Sequence, residues 1–147
     1  MLTKVLSELY QRDLNKLKTE IEQYSDESDL WKTHDGIANS AGNLCQHLTG
    51  NLQHFIGAVL GNSGYVRDRD AEFANKDISR ERLNRDIDDT LSVVTSTLGN
   101  ITDEDLAKNY PIEVFGHPMT TEYFLTHLAT HFNYHLGQIN YHRRMSS

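Results

Sequence analysis

The chain has 147 residues, 37% hydrophobic and 24% charged, which predicts a single domain over 1–147 with enough apolar surface for a proper core. Its net charge of −7, from 14 basic and 21 acidic side chains, argues against a nucleic-acid backbone as partner. No apolar run approaches the ~18 residues of a membrane span, and the charged, amphipathic start MLTKVLSELYQRD does not read as a signal peptide. One cysteine, Cys45, leaves no internal disulfide, so a cytoplasmic protein is expected.

Leu2, Leu6, Leu9, Leu14, Leu17, Ile21 and Tyr24 recur near helical spacing, with Lys, Arg, Glu and Gln between them. This predicts a first amphipathic helix over about 2–24. Ser25–Asp29 ends it, and Trp31 in the loop that follows is expected to plug one end of the core. Asn39 or Ser40 caps a second helix running to about Leu60, whose apolar arc is Leu44, Leu48, Leu52, Phe55 and Val59. His47 lies at the border of that arc, Asn51 a turn further on, and His54 one heptad beyond His47 on the same face. Cys45 falls about 160° from His47 on the wheel and is expected in the core. Gly61-Asn62-Ser63-Gly64 stops the helix. The connection over 61–78 is long for a loop, and such loops are lids or pack across one end of a fold. Its Arg67-Asp68-Arg69-Asp70 reads either as a self-paired, solvated turn or as a place where Arg67 or Arg69 reaches a pocket to bind an anionic group.

Ser79 caps a third helix with Leu83, Ile87, Leu91, Val94 and Leu98 on one face, a scaffold element with no candidate chemistry. Thr102-Asp103-Glu104-Asp105 resembles a capping box. Residues 109–119 alternate weakly and predict a short extended segment with a turn at Phe115-Gly116. Thr120 caps the fourth helix, which contains HLATHFNYHLGQINYH. Four long amphipathic helices with these connections predict an all-α four-helix bundle.

His127, His131 and His135 stand four residues apart on that fourth helix, so they share a face. An i,i+4 imidazole pair is a two-point metal grip that needs a third ligand from elsewhere. On a helical wheel with His131 at zero, the apolar face centres near about 80°. His135 falls at about +40° and His127 at about −40°, so His131 and His135 point inward better than His127. The expected metal ligands are therefore His47, His131 and His135. His127, Asn51, His54, Arg67, Arg69 and Tyr134 are expected around the pocket, with His54 the rival ligand on the second helix. His34, His117 and His142 read as surface or loop histidines. No Glu, Asp or Cys stands as an obvious fourth ligand, so the site is expected to stay open, as in catalytic zinc sites. Zn or Ni is expected, and Fe, Co and Mn also suit imidazole.

The histidine of QHLTGNLQHFIG, His47, together with His131 and His135 of HLATHFNYHLGQI, resembles the DinB/YfiT-like (damage-inducible) superfamily of bacterial four-helix-bundle proteins. RDRDAEF at 67–73 is similar to a segment of one branch. Leu136 stands where that family often has Arg. The resemblance covers nearly the whole chain and implies an up-down-down-up bundle, a homodimer, and a divalent metal, nickel or zinc, on the three histidines. It also implies thiol-dependent S-transferase or isomerase chemistry, as in a mycothiol-dependent isomerase of the family.

Three functions follow as alternatives. The first is a metal-dependent transferase acting with a low-molecular-weight thiol on an electrophilic small-molecule substrate. The second is a metal-dependent hydrolase, weakened by the lack of a general base beside the histidines. The third is a non-enzymatic, metal-stabilised stress-response or binding dimer.

Overall fold

Each apolar stripe becomes a helix, in a computed structural model that describes residues 2–146. The four long helices are α1 (Leu2–Gln23), α2 (Ala41–Leu52), α4 (Arg80–Gly99) and α6 (Thr121–Met145). Two short helices lie between them, α3 (Arg69–Ala74) and α5 (Asp103–Ala107), and a 3₁₀ turn spans Glu27–Trp31. Caps fix where the helices begin. Ser40, Ser79 and Thr120 each accept a hydrogen bond from the backbone N–H three residues on, which satisfies a donor the first turn leaves free. Thr102 and Asp105 form a reciprocal capping box at α5.

Side-chain pairs give the direction of each helix. On α1 and α6, Asp13 accepts from Asn133 and Glu20 from Asn140, so the two run parallel. Lys18 meets Asp88 while Arg80 reaches the Tyr24 carbonyl, so α1 and α4 are antiparallel. His47 faces His131 while Phe55 faces Phe124, so α2 and α6 are antiparallel. Gln53 reaches Thr90, and a Cβ at Gly57 or Gly61 would meet Val93 or Thr97, so α2 and α4 are parallel. The result is an all-α, up-down-down-up four-helix bundle. Its core includes Leu6, Leu14, Leu17, Ile21, Leu48, Leu52, Leu83, Ile87, Val94, Phe124, Phe132 and Ile139. Cys45 lies in that core, as its wheel position predicts. Trp31 packs its ring over Gly42 of α2, where a β-carbon would collide with it.

Two connections matter for the site. The 61–78 stretch is not a plain loop. Asp68 accepts from the Ala71 N–H and starts α3, a short helix that the sequence pattern did not reveal. Asn43 of α2 donates to the carbonyls of Glu72 and Asn75, both at 2.9 Å, and accepts from Lys76. These bonds strap α3 across α2 at the level of His47. The 109–119 segment is extended as expected. It is closed by an antiparallel bridge between Asn109 and Thr120 and turned at Gly116, whose φ of 81° suits glycine.

Directly after α2 the chain makes a π turn, Gln53–Ala58, with Val59 N–H bonded to the His54 carbonyl. Such wide turns recur at functional sites. Among the described residues, no helix is long and apolar enough to cross a membrane.

Candidate metal centre

Three histidines converge where α2 passes α6. One nitrogen from each of His47, His131 and His135 lies within 4.8 Å of the others. The helices explain this. His131 and His135 are one turn apart on α6, and His47 faces both from α2, its ring 5.1 Å from His131 and 5.3 Å from His135. The sequence-predicted ligand set is therefore the set brought together.

His47 Nε2 stands 3.3 Å from His131 Nε2. Zinc–nitrogen bonds of about 2.0–2.1 Å at tetrahedral angles put two imidazole nitrogens about 3.3 Å apart. The pair thus has the spacing of one edge of a tetrahedral site. Its back nitrogens fix which lone pairs face inward. His47 Nδ1 lies 3.1 Å from Glu72 Oε1, and only an Nδ1–H can donate to that carboxylate, so Nε2 carries the lone pair. His135 Nδ1 lies 2.7 Å from Gln138 Oε1 and is fixed in the same way. His131 Nδ1 is buried without a hydrogen-bond partner. Metal-ligating histidines characteristically have their second nitrogen held by a carboxylate or carbonyl.

The electrostatics favour neutral imidazoles, the form that binds cations. Burial, then the neighbouring His135 and His47, push His131 down to about 4. Burial likewise lowers His135, with Gln138 opposing and His47 adding to the effect. Two buried lone pairs facing each other are costly without a proton or cation between them. The facing Nε2 atoms and the neutral donors fit a divalent metal, while His131 Nδ1 lacks the partner from behind that His47 and His135 have.

Glu72 is the residue that sequence reasoning missed. It is 5% exposed and held twice, by His47 and by Arg67, whose Nε and Nη2 donate to the two carboxylate oxygens at 2.9 and 3.0 Å. Burial would raise its pKa, but the hydrogen bonds from His47 and Arg67 outweigh that and hold it below the ordinary carboxylate value. Gly50 makes the space, since a β-carbon there would collide with Oε2. Asp68 caps the short helix that carries Glu72 inward beside Phe73, and the local sequence pattern did not mark that helix. Among the described residues, the cluster of possible metal-holding groups is His47, His131 and His135, and Glu72 is not part of it.

The surrounding residues divide. Arg67 does reach the site, but it serves Glu72 and lies over the Phe55 ring, 5.6 Å from its centroid. Arg69 lies over Phe73 instead, whose ring packs against His47. His127 is half-buried, stacked on Phe124 and edge-on to Phe115, outside the ligand set as its wheel position predicts. His54 is not a ligand. Seven residues beyond His47 it sits about 10 Å further along the helix, against Phe55, and burial then Arg67 lower its pKa. Asn51 is buried a turn beyond His47. Tyr134 is 66% exposed, with its ring edge 5.3 Å from His135. His142 corrects the sequence reading. It is a buried histidine, 4% exposed, not a surface one.

Over residues 2–147 the sequence matches the family described as "Protein of unknown function (DUF1572)". The chain belongs to this family. A crystal structure of a DinB-like protein from Bacillus cereus ATCC 10987 has the same fold, with a TM-score of 0.70 at 19% identity, covering 90% of this chain and 85% of that one. The likeness shows the all-α fold that the sequence predicts. No curated protein matches the sequence.

Proposed function

We propose that this member of the DUF1572 family is a divalent-metal enzyme that joins a low-molecular-weight thiol to an electrophilic small molecule, or isomerises through such an adduct. The observation that carries the reading is the 3.3 Å approach of His47 and His131 Nε2, with the His47 and His135 tautomers set from behind by Glu72 and Gln138. Zinc or nickel is the metal that best suits three neutral imidazoles, with iron, cobalt or manganese as the remaining choices. When bound, the metal supplies a Lewis acid that lowers the pKa of a coordinated thiol or water.

The chain's residues do the rest. Three ligands leave a coordination position free. Phe73 packs on His47 and Tyr134 lies beside His135, so two of the three imidazoles carry an aromatic neighbour. The thiol comes from outside the protein. Burial pushes the lone Cys45 thiol upward, and a fully buried thiol is a poor nucleophile. Glu72 does not support hydrolysis as strongly as its position suggests. Both of its oxygens are engaged by Arg67 and one also by His47, so it is not a free general base. The family resemblance and the buried cysteine extend the reading to a cytoplasmic homodimer.

The test is metal content by elemental analysis on untagged protein, followed by loss of free thiol with a panel of electrophiles. About one metal per chain is expected for the wild type and for His127→Ala, and none for His47→Ala, His131→Ala or His135→Ala. Turnover should follow the metal. Metal that raises the melting temperature with no turnover for any thiol would make it structural and overturn the transferase reading.

A further inference from the structure

A groove of about 620 Å³ runs from His135 along α6, closed on its far side by the loop that leads into α2. That is the size of small-molecule sites in general. Its walls are Ile37 of the loop, Leu44 of α2, and Tyr134, Gly137 and Tyr141 of α6. No Asp, Glu, Lys or Arg lines it, in a protein with 24% charged residues.

The α6 wall is notched. Tyr134 and Tyr141 are two turns apart, about 10 Å along the axis, with Gly137 between them on the same face. A β-carbon at Gly137 would meet nothing within 4 Å, so the gap between the two rings is open space. Each ring is positioned. Tyr134 stands edge-on to His135 at 5.3 Å, and Arg144 lies over Tyr141 at 5.2 Å. Ile37, Tyr134 and Tyr141 are 38%, 66% and 61% exposed, an uncovered apolar surface along the groove. Offset stacking between aromatic faces favours a flat, uncharged ring system there. A charged group would lose hydration without an opposite charge in the lining, whose polar side chains are Asn39, His135, Gln138 and His142.

His135 joins the groove to the metal centre, because it is a wall of the groove and a member of the ligand cluster. We propose that this groove binds the electrophilic co-substrate, and that the co-substrate is an uncharged aromatic or apolar molecule whose reactive end is directed to His135. This deepens the metal-enzyme reading and rests on it for the direction of the reactive end.

The test uses a neutral fluorescent probe, N-phenyl-1-naphthylamine, titrated into the full chain. Saturable binding is expected, weakened tenfold or more in Gly137→Phe, which fills the notch, and in Ile37→Asp, which charges the loop wall. Gly137→Ala should bind within threefold of wild type. Metal content should be unchanged in all three. A second pair of probes reads the link to the metal. The metal-loaded protein should bind 2-naphthalenethiol at least tenfold more tightly than 2-naphthol, a preference that His131→Ala loses. Metal bound normally with no dye binding, or dye binding indifferent to both Gly137→Phe and Ile37→Asp, overturns the groove. Equal binding of the anionic 1-naphthalenesulfonate overturns the uncharged class. A dimer that does not bind dye, and that Gly137→Phe turns into a monomer, assigns the groove to a second copy of the chain and overturns the proposal. Dye bound in the groove of a protein that takes up no metal would uphold the groove and defeat the enzyme reading alone.

Discussion

Two histidine sites lie on α6, at His131 and three turns further on at His142, and their ring nitrogens are partnered in opposite ways. His142 has both nitrogens spent on the protein. Its Nε2 lies 2.8 Å from the Lys32 carbonyl, which can only accept, so Nε2 carries the proton. Its Nδ1 then accepts from the Tyr24 hydroxyl at 2.7 Å. His34 adds an edge-on ring at 5.2 Å. In contrast, His131 faces another imidazole nitrogen at 3.3 Å and leaves Nδ1 buried without a partner. The residue type and helix are alike, though His142 is buried and His131 half-buried. What differs is whether oxygen atoms of the protein complete the ring. Where they do, the histidine is a tie between elements, here α1, α6 and the loop after the 3₁₀ turn. Where only other histidines stand opposite, the cluster could take a cation.

The sharpest way to break this comparison is through Glu72, because it acts on the metal site without being a ligand. It fixes the His47 tautomer and places a negative charge behind the ring, which raises the ligand's basicity. Glu72→Ala should weaken metal affinity by roughly 10–100-fold, the usual loss for such a partner. Glu72→Gln keeps an acceptor oxygen for Nδ1–H and should lose less, near the lower end of that range. Competition against a chromogenic chelator reads both values. Affinity within twofold of wild type in Glu72→Ala would mean that Glu72 is only a strut for Arg67 and α3.

How far these features were legible follows from what each depends on. The four long helices and their caps depend on local periodicity and on Ser40, Ser79 and Thr120, all visible in the chain. The ligand set was legible because the wheel of α6 ranks His131 and His135 over His127. The same wheel puts His142 at about 20°, between His131 and His135. Its burial was therefore visible in principle, but proximity to the helix end favoured a surface reading. Glu72 was not legible, since its role depends on Asn43 strapping α3 across α2 and on the space above Gly50, both contacts over twenty residues or more. The groove was hidden for a similar reason. Its far wall, Ile37, belongs to a loop whose path no periodicity specifies.

The second prediction acts on the satisfied site. His142→Leu leaves the buried Tyr24 hydroxyl and the Lys32 carbonyl without this partner, while preserving apolar volume. A buried polar group stranded in this way costs roughly 1–3 kcal/mol. Denaturant unfolding should show that loss as a lower midpoint at unchanged slope, while metal content stays at the wild-type level. If the variant instead loses metal with its stability intact, the two sites are one network, and the distinction between a tie and a ligand fails.

The smallest expected effect is on pH dependence, and it is read at the His131 site. In the metal-free protein, burial and neighbouring imidazoles hold His131 at about 4, and burial also lowers His135 and His54. An unfolded histidine titrates near about 6.5. Between these values the unfolded chain binds more protons than the folded one, so stability rises with pH. It is complete above about 6.5 and declines as pH falls toward about 4. Metal-free wild type should therefore melt progressively lower from pH 7 to pH 5. His131→Gln, which cannot charge, should show a shallower decline. Saturating metal should flatten the curve near neutrality and restore the slope at lower pH, where protons compete for the same lone pairs. Parallel pH curves for wild type and His131→Gln would mean that His131 takes up protons as readily in the folded chain as in the unfolded one, so that folding does not hold it neutral. A cationic imidazole 3.3 Å from His47 is incompatible with a site built to receive a metal ion.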